Sequence, residues 1–222
     1  MIRNLVLFIL IFFSLKCEKK QKKQSYLALD ENYTIGEAVS NNDSWPMQLV
    51  KALEEENILI HKPKAIAQTG WTTADLKKGI DEAILNYPYD WIYLSIGANN
   101  QCQRKNIEVF KADFEQLLSQ SILFAGNKKN RPFVISIPDW GKIPFAKNQE
   151  REKIRTEKDN YNQVIYEICS RKEFAFIDIT QISRNLHSNP DFISSDSLHP
   201  SKSQYPKWVE EIIPFFVNSS ND

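Results

Sequence analysis

The chain has 222 residues, of which 42% are hydrophobic and 12% aromatic. That is enough to bury the core of one α/β domain and too little for two comfortable ones. Its 28 basic and 28 acidic side chains balance, so no electrostatic field recommends nucleic acid as a partner. No cluster of His and Cys suggests a metal site, and neither a metal nor another cofactor is expected.

In chain order, Arg3 supplies a short positive start and Leu5 to Phe13 is an uninterrupted apolar run. The run is well short of the roughly 20 residues that a spanning helix needs, so residues 1–17 read as an export signal. The expected destination is the periplasm or cell envelope. Cys17, after Ser14-Leu15-Lys16, suits a lipoprotein signal in which the cysteine is lipidated and becomes the new N-terminus. Lys16 argues against it, since a small residue normally precedes such a cysteine, and a conventional signal is the alternative. Residues 18–24 carry Lys19, Lys20, Lys22 and Lys23 without an apolar anchor. They read as a solvated tether, able to rest on anionic lipid headgroups and so to assist membrane tethering. Residues 25–222 form the domain. Its two cysteines, Cys102 and Cys169, sit in unrelated contexts and are expected to be unpaired thiols.

Beyond the tether, short β-rich apolar runs alternate with amphipathic segments. Strands are expected at Tyr26 to Leu29, within Ile58 to Ala67, and at Trp91 to Ile96, Phe133 to Ile137 and Phe174 to Ile179. Helices are expected at about Trp45 to Glu56, Thr73 to Leu85, Ile107 to Phe124, Glu150 to Cys169 and Lys202 to Phe216. Strand and helix in alternation imply a parallel sheet covered on both faces, a flavodoxin-like three-layer α/β/α sandwich with five strands. In such sheets ligands bind beyond the carboxyl ends of the strands.

Three ordered segments fall at those ends, Asp30-Glu31-Asn32, Gly70 in Ala-Gln-Thr-Gly-Trp-Thr-Thr, and Gly97-Ala98-Asn99-Asn100, and a fourth, Asp196-Ser197-Leu198-His199-Pro200, lies in the loop before the final helix, where it can fold over the same edge. Together they resemble the four blocks of the SGNH (GDSL-type) hydrolases, over about Tyr26 to Val217. The resemblance implies the same sandwich fold and a serine ester hydrolase ancestry. It implies that His199 acts as the base, with Asp196 fixing its tautomer. It also implies an oxyanion hole made by Gly70, Asn99 and the backbone N–H of residue 32. The chain departs from the family in two blocks. The third ends in Asn100 where the family has aspartate, and the first replaces Gly-Asp-Ser by Asp30-Glu31-Asn32.

Asn32 therefore stands at the nucleophile position, and a carboxamide has no hydroxyl for His199 to deprotonate. Asp30 replaces a glycine at a sharp turn and is expected to strain the backbone there. Glu31, longer than the family's aspartate by one methylene, is expected to displace that residue's hydrogen bonds. Of the nearby hydroxyls, Thr34 is expected to point elsewhere, and Ser40 and Ser44 to lie beyond the turn in a polar loop. Trp71 and Trp140 follow strand ends and are candidates for lining a substrate cleft, while Trp45, Trp91 and Trp208 are expected in packing. The resulting expectation is an exported SGNH-like protein without ordinary esterase turnover that binds a small-molecule ester, acylated sugar or lipid. The alternative is a working hydrolase that uses an unusual nucleophile or water activated by His199.

Overall fold

The computed structural model describes residues 22–186 and 189–219. The signal segment, Cys17 and most of the lysine-rich tether lie outside them. Gln24, the last tether residue, is already part of the fold: it bridges to Ile60 in parallel fashion and its backbone bonds Leu59 and His61. The domain thus takes hold one residue earlier than the pattern of charges implied.

Five parallel strands make the sheet, in the order β2-β1-β3-β4-β5. They are β1 (Tyr26–Asp30), β2 (Lys64–Ala67), β3 (Trp91–Leu94), β4 (Pro132–Ile135) and β5 (Ala175–Ile177). Ala28 of β1 stands opposite Ala65 on one side and Tyr93 on the other, and Tyr93 opposite Phe133. The three central strands are buried along their whole length, which is why they read as continuous apolar runs rather than alternating ones. Only the last four residues of the segment expected to hold the second strand pair as a strand.

Two helices, α2 (Trp45–Glu55) and α8 (Tyr205–Ser219), pack against each other. The helices α3 (Thr73–Glu82), α5 (Ile107–Phe124) and α6 (Arg151–Lys172) form the second group, α5 touching both of the others. Side-chain caps set several starts. Thr72 and Asp75 form a capping box at α3, and the Asn106 side chain accepts from the Glu108 and Val109 amides at α5. Trp45, Trp91 and Trp208 are all buried in the core, as expected. Cys102 is an exposed free thiol and Cys169 a buried one, whose pKa burial pushes up to about 12.

Three further helices are short: α1 (Asn32–Ile35), α4 (Ala98–Cys102) and α7 (Thr180–Leu186). Two of them start directly beyond strand ends and carry site residues. Gly97, the residue before α4, has φ +130, a conformation that side-chain-bearing residues rarely adopt. A Cβ there would lie 2.7 Å from the Phe110 ring and 2.9 Å from Ile137 Cδ1. Gly97→Ala is expected to lower stability by about 1–3 kcal/mol through strain and overpacking together, read as a shift in the urea midpoint.

Candidate active site at the carboxyl edge of the sheet

The four segments meet. β1 ends at Asp30, Glu31 is the hinge, and Asn32 opens α1. As the first helical residue, Asn32 has a backbone N–H with no partner inside its own helix. Its side chain lies between the other segments. Gly70 N–H donates to Asn32 Oδ1 at 3.0 Å and Asn99 Nδ2 to the same oxygen at 3.1 Å. On the other side Asn32 Nδ2 lies 3.0 Å from His199 Nε2.

These contacts fix every proton in the chain of bonds. A backbone N–H can only donate, so the atom beside Gly70 is the carbonyl oxygen of Asn32 and the atom beside His199 is the NH₂. His199 Nε2 must then be the bare, accepting nitrogen. The proton sits on Nδ1, 2.6 Å from Asp196 Oδ2. This is the tautomer a general base requires, with its lone pair aimed at the side chain of residue 32.

The loop that carries His199 is fastened from within. Asp196 Oδ1 accepts from the backbone N–H groups of Leu198 (2.9 Å) and His199 (3.0 Å), while Ser197 takes a left-handed φ of +64 between them. Ser194 N–H donates to the His199 carbonyl, and Phe145 N–H to that of Ser197. Burial alone would raise the Asp196 carboxyl, but its bonds from His199 and Leu198 hold it below the ordinary value. The His199 ring is almost wholly enclosed, with Tyr33 edge-on at 5.9 Å between centroids.

Glu31 does not displace hydrogen bonds; it makes them. Its Oε1 accepts from Gly97 N–H (3.0 Å) and Ala98 N–H (2.8 Å), and its Oε2 from Asn99 N–H (3.1 Å) and the Asn99 side-chain amide. The longer carboxylate thus reaches the first turn of α4 and orients Asn99. The Asn99 amide also donates to the Trp71 carbonyl at 3.1 Å. Asn100, which departs from the family's aspartate, cross-links α4 to Thr73 through its side-chain oxygen and nitrogen.

Nor does Asp30 force a left-handed backbone: it is absent from the positive-φ positions of the described chain. Its buried carboxylate receives three donors, Glu31 N–H (2.6 Å), Thr34 Oγ1 (2.5 Å) and Tyr93 OH (3.0 Å). Burial still outweighs these bonds and pushes the pKa up to about 7. Glu31 is likewise raised, first by burial and then by the charge of Asp30. Lys158, fully buried on α6 without a hydrogen bond, is lowered by burial and pulled back upward by Glu31. Lys158 escaped the sequence reading, although it falls on the apolar stripe of α6 at helical spacing with Ile154, Tyr161 and Ile165.

The candidate hydroxyls and tryptophans are also placed. Thr34 is buried against Asp30, Ser40 Oγ donates to Asp43 and Ser44 Oγ to the Asn41 carbonyl. None of them bonds His199. The Trp71 ring lies on Gly79 of α3, where any side chain would collide with it, and packs against the core. Trp140 is placed differently, beside a cavity that none of Asn32, Gly70, Asn99 and His199 lines. With Phe145, Gln101 and Cys102 it lines a cavity of about 270 Å³ beside α4, its indole N–H donating to Gln101 at 2.9 Å. No group of three or more His, Cys, Asp and Glu among the described residues is arranged to hold a metal ion. No described helix is long and apolar enough to cross a membrane.

The raised pKa of Asp30 has a definite sign. An acid whose folded pKa lies above its unfolded value near 4 binds more protons when folded, so stability is fullest at low pH and falls as pH rises toward about 7. Asp30→Asn is expected to flatten stability over that window. Urea unfolding at a series of pH values would show the natural chain losing midpoint and the variant losing less.

Comparison with known proteins bears on the fold and the family. Residues 31–205 match the GDSL-like lipase/acylhydrolase family. No curated protein matches the chain. Among solved structures, it resembles the psychrotrophic esterase EstA from Pseudoalteromonas sp. at TM-score 0.69 and 15% identity, over 90% of this chain and 100% of that one. The acetylxylan esterase Axe2 from Geobacillus stearothermophilus superposes at TM-score 0.66 and 14% identity, over 87% and 94% of the two chains. The lipase/acylhydrolase from Enterococcus faecalis does so at 0.64 and 22%, over 86% and 94%. At these identities the structures speak for the fold, and the family match for descent: the chain belongs to the GDSL-like lipase/acylhydrolase family, the SGNH hydrolases.

Proposed function

We propose that this chain is an exported SGNH-fold protein that does not turn over esters by the serine mechanism of its family. On this reading its cleft holds an ester-bearing ligand, and the signal segment at residues 1–17, lipidated at Cys17 or simply cleaved, delivers it to the cell envelope. The observation that carries the proposal is the side chain of Asn32. Its NH₂ occupies the bond that a serine hydroxyl would make to His199, and its oxygen takes the two donors that would receive a substrate's oxyanion. On this reading the base, its carboxylate partner and the oxyanion donors surround a group that cannot attack.

The names of the neighbours indicate ligand classes of an acylated sugar or a lipid. Trp140 and Phe145, the latter 51% exposed, supply an apolar wall on which a sugar ring or acyl chain can lie. The rival reading, ester hydrolysis by water that His199 activates, is disfavoured because Asn32 Oδ1 already takes the two donors that a substrate's carbonyl would need.

Since Asp30 and Glu31 are both well bonded, restoring the serine alone should suffice. Asn32→Ser is expected to hydrolyse a short-chain p-nitrophenyl ester at least about 10³-fold faster than the natural chain, out of the roughly 10⁶ that the serine of a triad supplies. Equal rates for the two, with His199→Ala inactive, would overturn the proposal.

A further inference from the structure

Asn32 is more than a blocked nucleophile: its side chain is an amide lying in the position of a hydrolase substrate. The carbonyl oxygen accepts from Gly70 N–H at 3.0 Å and Asn99 Nδ2 at 3.1 Å. The amide nitrogen lies 3.0 Å from His199 Nε2, and His199 is backed by Asp196 at 2.6 Å. The residue is only partly buried. Every element that cleaves an acyl–nitrogen bond surrounds this one, apart from an attacking group that solvent can provide.

We propose that Asn32 is a self-modification site, whose side-chain amide is hydrolysed by the site's own machinery to leave an aspartate at that position and release ammonia. Water attacks Cγ as His199 Nε2 takes its proton. Negative charge gathers on Oδ1, between Gly70 and Asn99, where two donors are already aimed. The imidazolium then passes its proton to Nδ2, the Cγ–Nδ2 bond breaks, and ammonia departs. One water is consumed, with no redox partner. The resulting acid gives its proton to His199 Nε2, leaving a carboxylate that faces both oxyanion donors and an imidazolium, so the product is held at least as firmly as the amide was. Loss of the serine removes the fast route to an acyl-enzyme, but the hole and base of a triad hydrolase retain about 10³–10⁴-fold over water without it. A substrate attached to the chain needs no binding step to exploit that remnant of rate.

The inference rests on the proposed working roles of His199, Gly70 and Asn99. Its test is peptide mass spectrometry of residue 32 after incubating the purified protein at neutral pH in heavy-oxygen water, alongside the same protein unfolded in guanidinium. The expected result is conversion of Asn32 to aspartate carrying solvent oxygen, without isoaspartate, in the folded protein. Asn99→Ala should slow it by about 10²-fold, and His199→Ala should abolish it. Isoaspartate at position 32 of the folded chain would mean that the Tyr33 backbone nitrogen had attacked instead, and would overturn the inference. So would an unchanged rate in both variants, or an Asn32 that persists folded while it converts unfolded. If Asn32→Ser hydrolyses esters yet Asn32 persists, only this inference falls; if neither reaction occurs, the roles assigned to His199 and the oxyanion donors fall with it.

Discussion

The carboxylate of Glu31 sits where the end of β1 meets the beginning of α4, and it accepts three backbone N–H groups and one side-chain amide at that junction. A buried carboxylate is costly unless its lone pairs are filled, and a helix amino terminus is among the better places to fill them. This bond set holds two adjacent strand ends in register beyond the sheet. Asn99 is oriented by it, Asn99 and Gly70 then orient the oxygen of Asn32, and Asn32 hands the geometry on to His199. Lys158 lies buried behind, its charge opposed by its own desolvation and favoured by that of Glu31. The site is therefore a single polar network in which each member fixes the next, and such networks tolerate little partial loss.

A serine at position 32 would leave the oxyanion donors waiting for a ligand. The amide that replaces it offers an acceptor to those donors and a donor to the imidazole at once. The altered block is in this sense fully satisfied rather than decayed. Asp30 and Glu31 follow the same pattern, each exchanging what the family has at that position for a different but complete set of bonds.

Much of the framework was legible from the chain alone because burial on both faces leaves a plain mark. Trp91 to Leu94 and Pro132 to Ile135 are apolar throughout, and the amphipathic runs of α2, α3 and α5 lie within about three residues of where they were expected. The short helices were not legible. Residues 98–102 are Ala-Asn-Asn-Gln-Cys, a polar stretch whose helicity depends on a carboxylate 67 residues earlier in the chain. Asp30 misled for the same reason: a carboxylate at the end of a buried strand looks unsatisfied until Tyr93, from the neighbouring strand, supplies its hydroxyl. Gly70 and Asn99 were readable because they follow strand ends, and Asp196 and His199 because they share a short loop before the final helix. Trp71 and Trp140 follow the same kind of end yet differ in surroundings, since the first ring lies against Gly79 of α3. Nothing in the local sequence distinguishes the two.

The amide of Asn32 in the oxyanion hole can also be regarded as a tethered competitor. A group held to its site by a few rotatable bonds presents itself at an effective concentration in the millimolar range or higher. Any free carbonyl that enters must outbid that local supply with the same two hydrogen bonds, and a small ester has little else to offer. On the proposed reading, a larger ligand that spreads over the wall of Trp140 and Phe145 binds without winning that exchange. On that reading, the side chain at position 32 thereby shifts selectivity from the acyl carbonyl to whatever surrounds it.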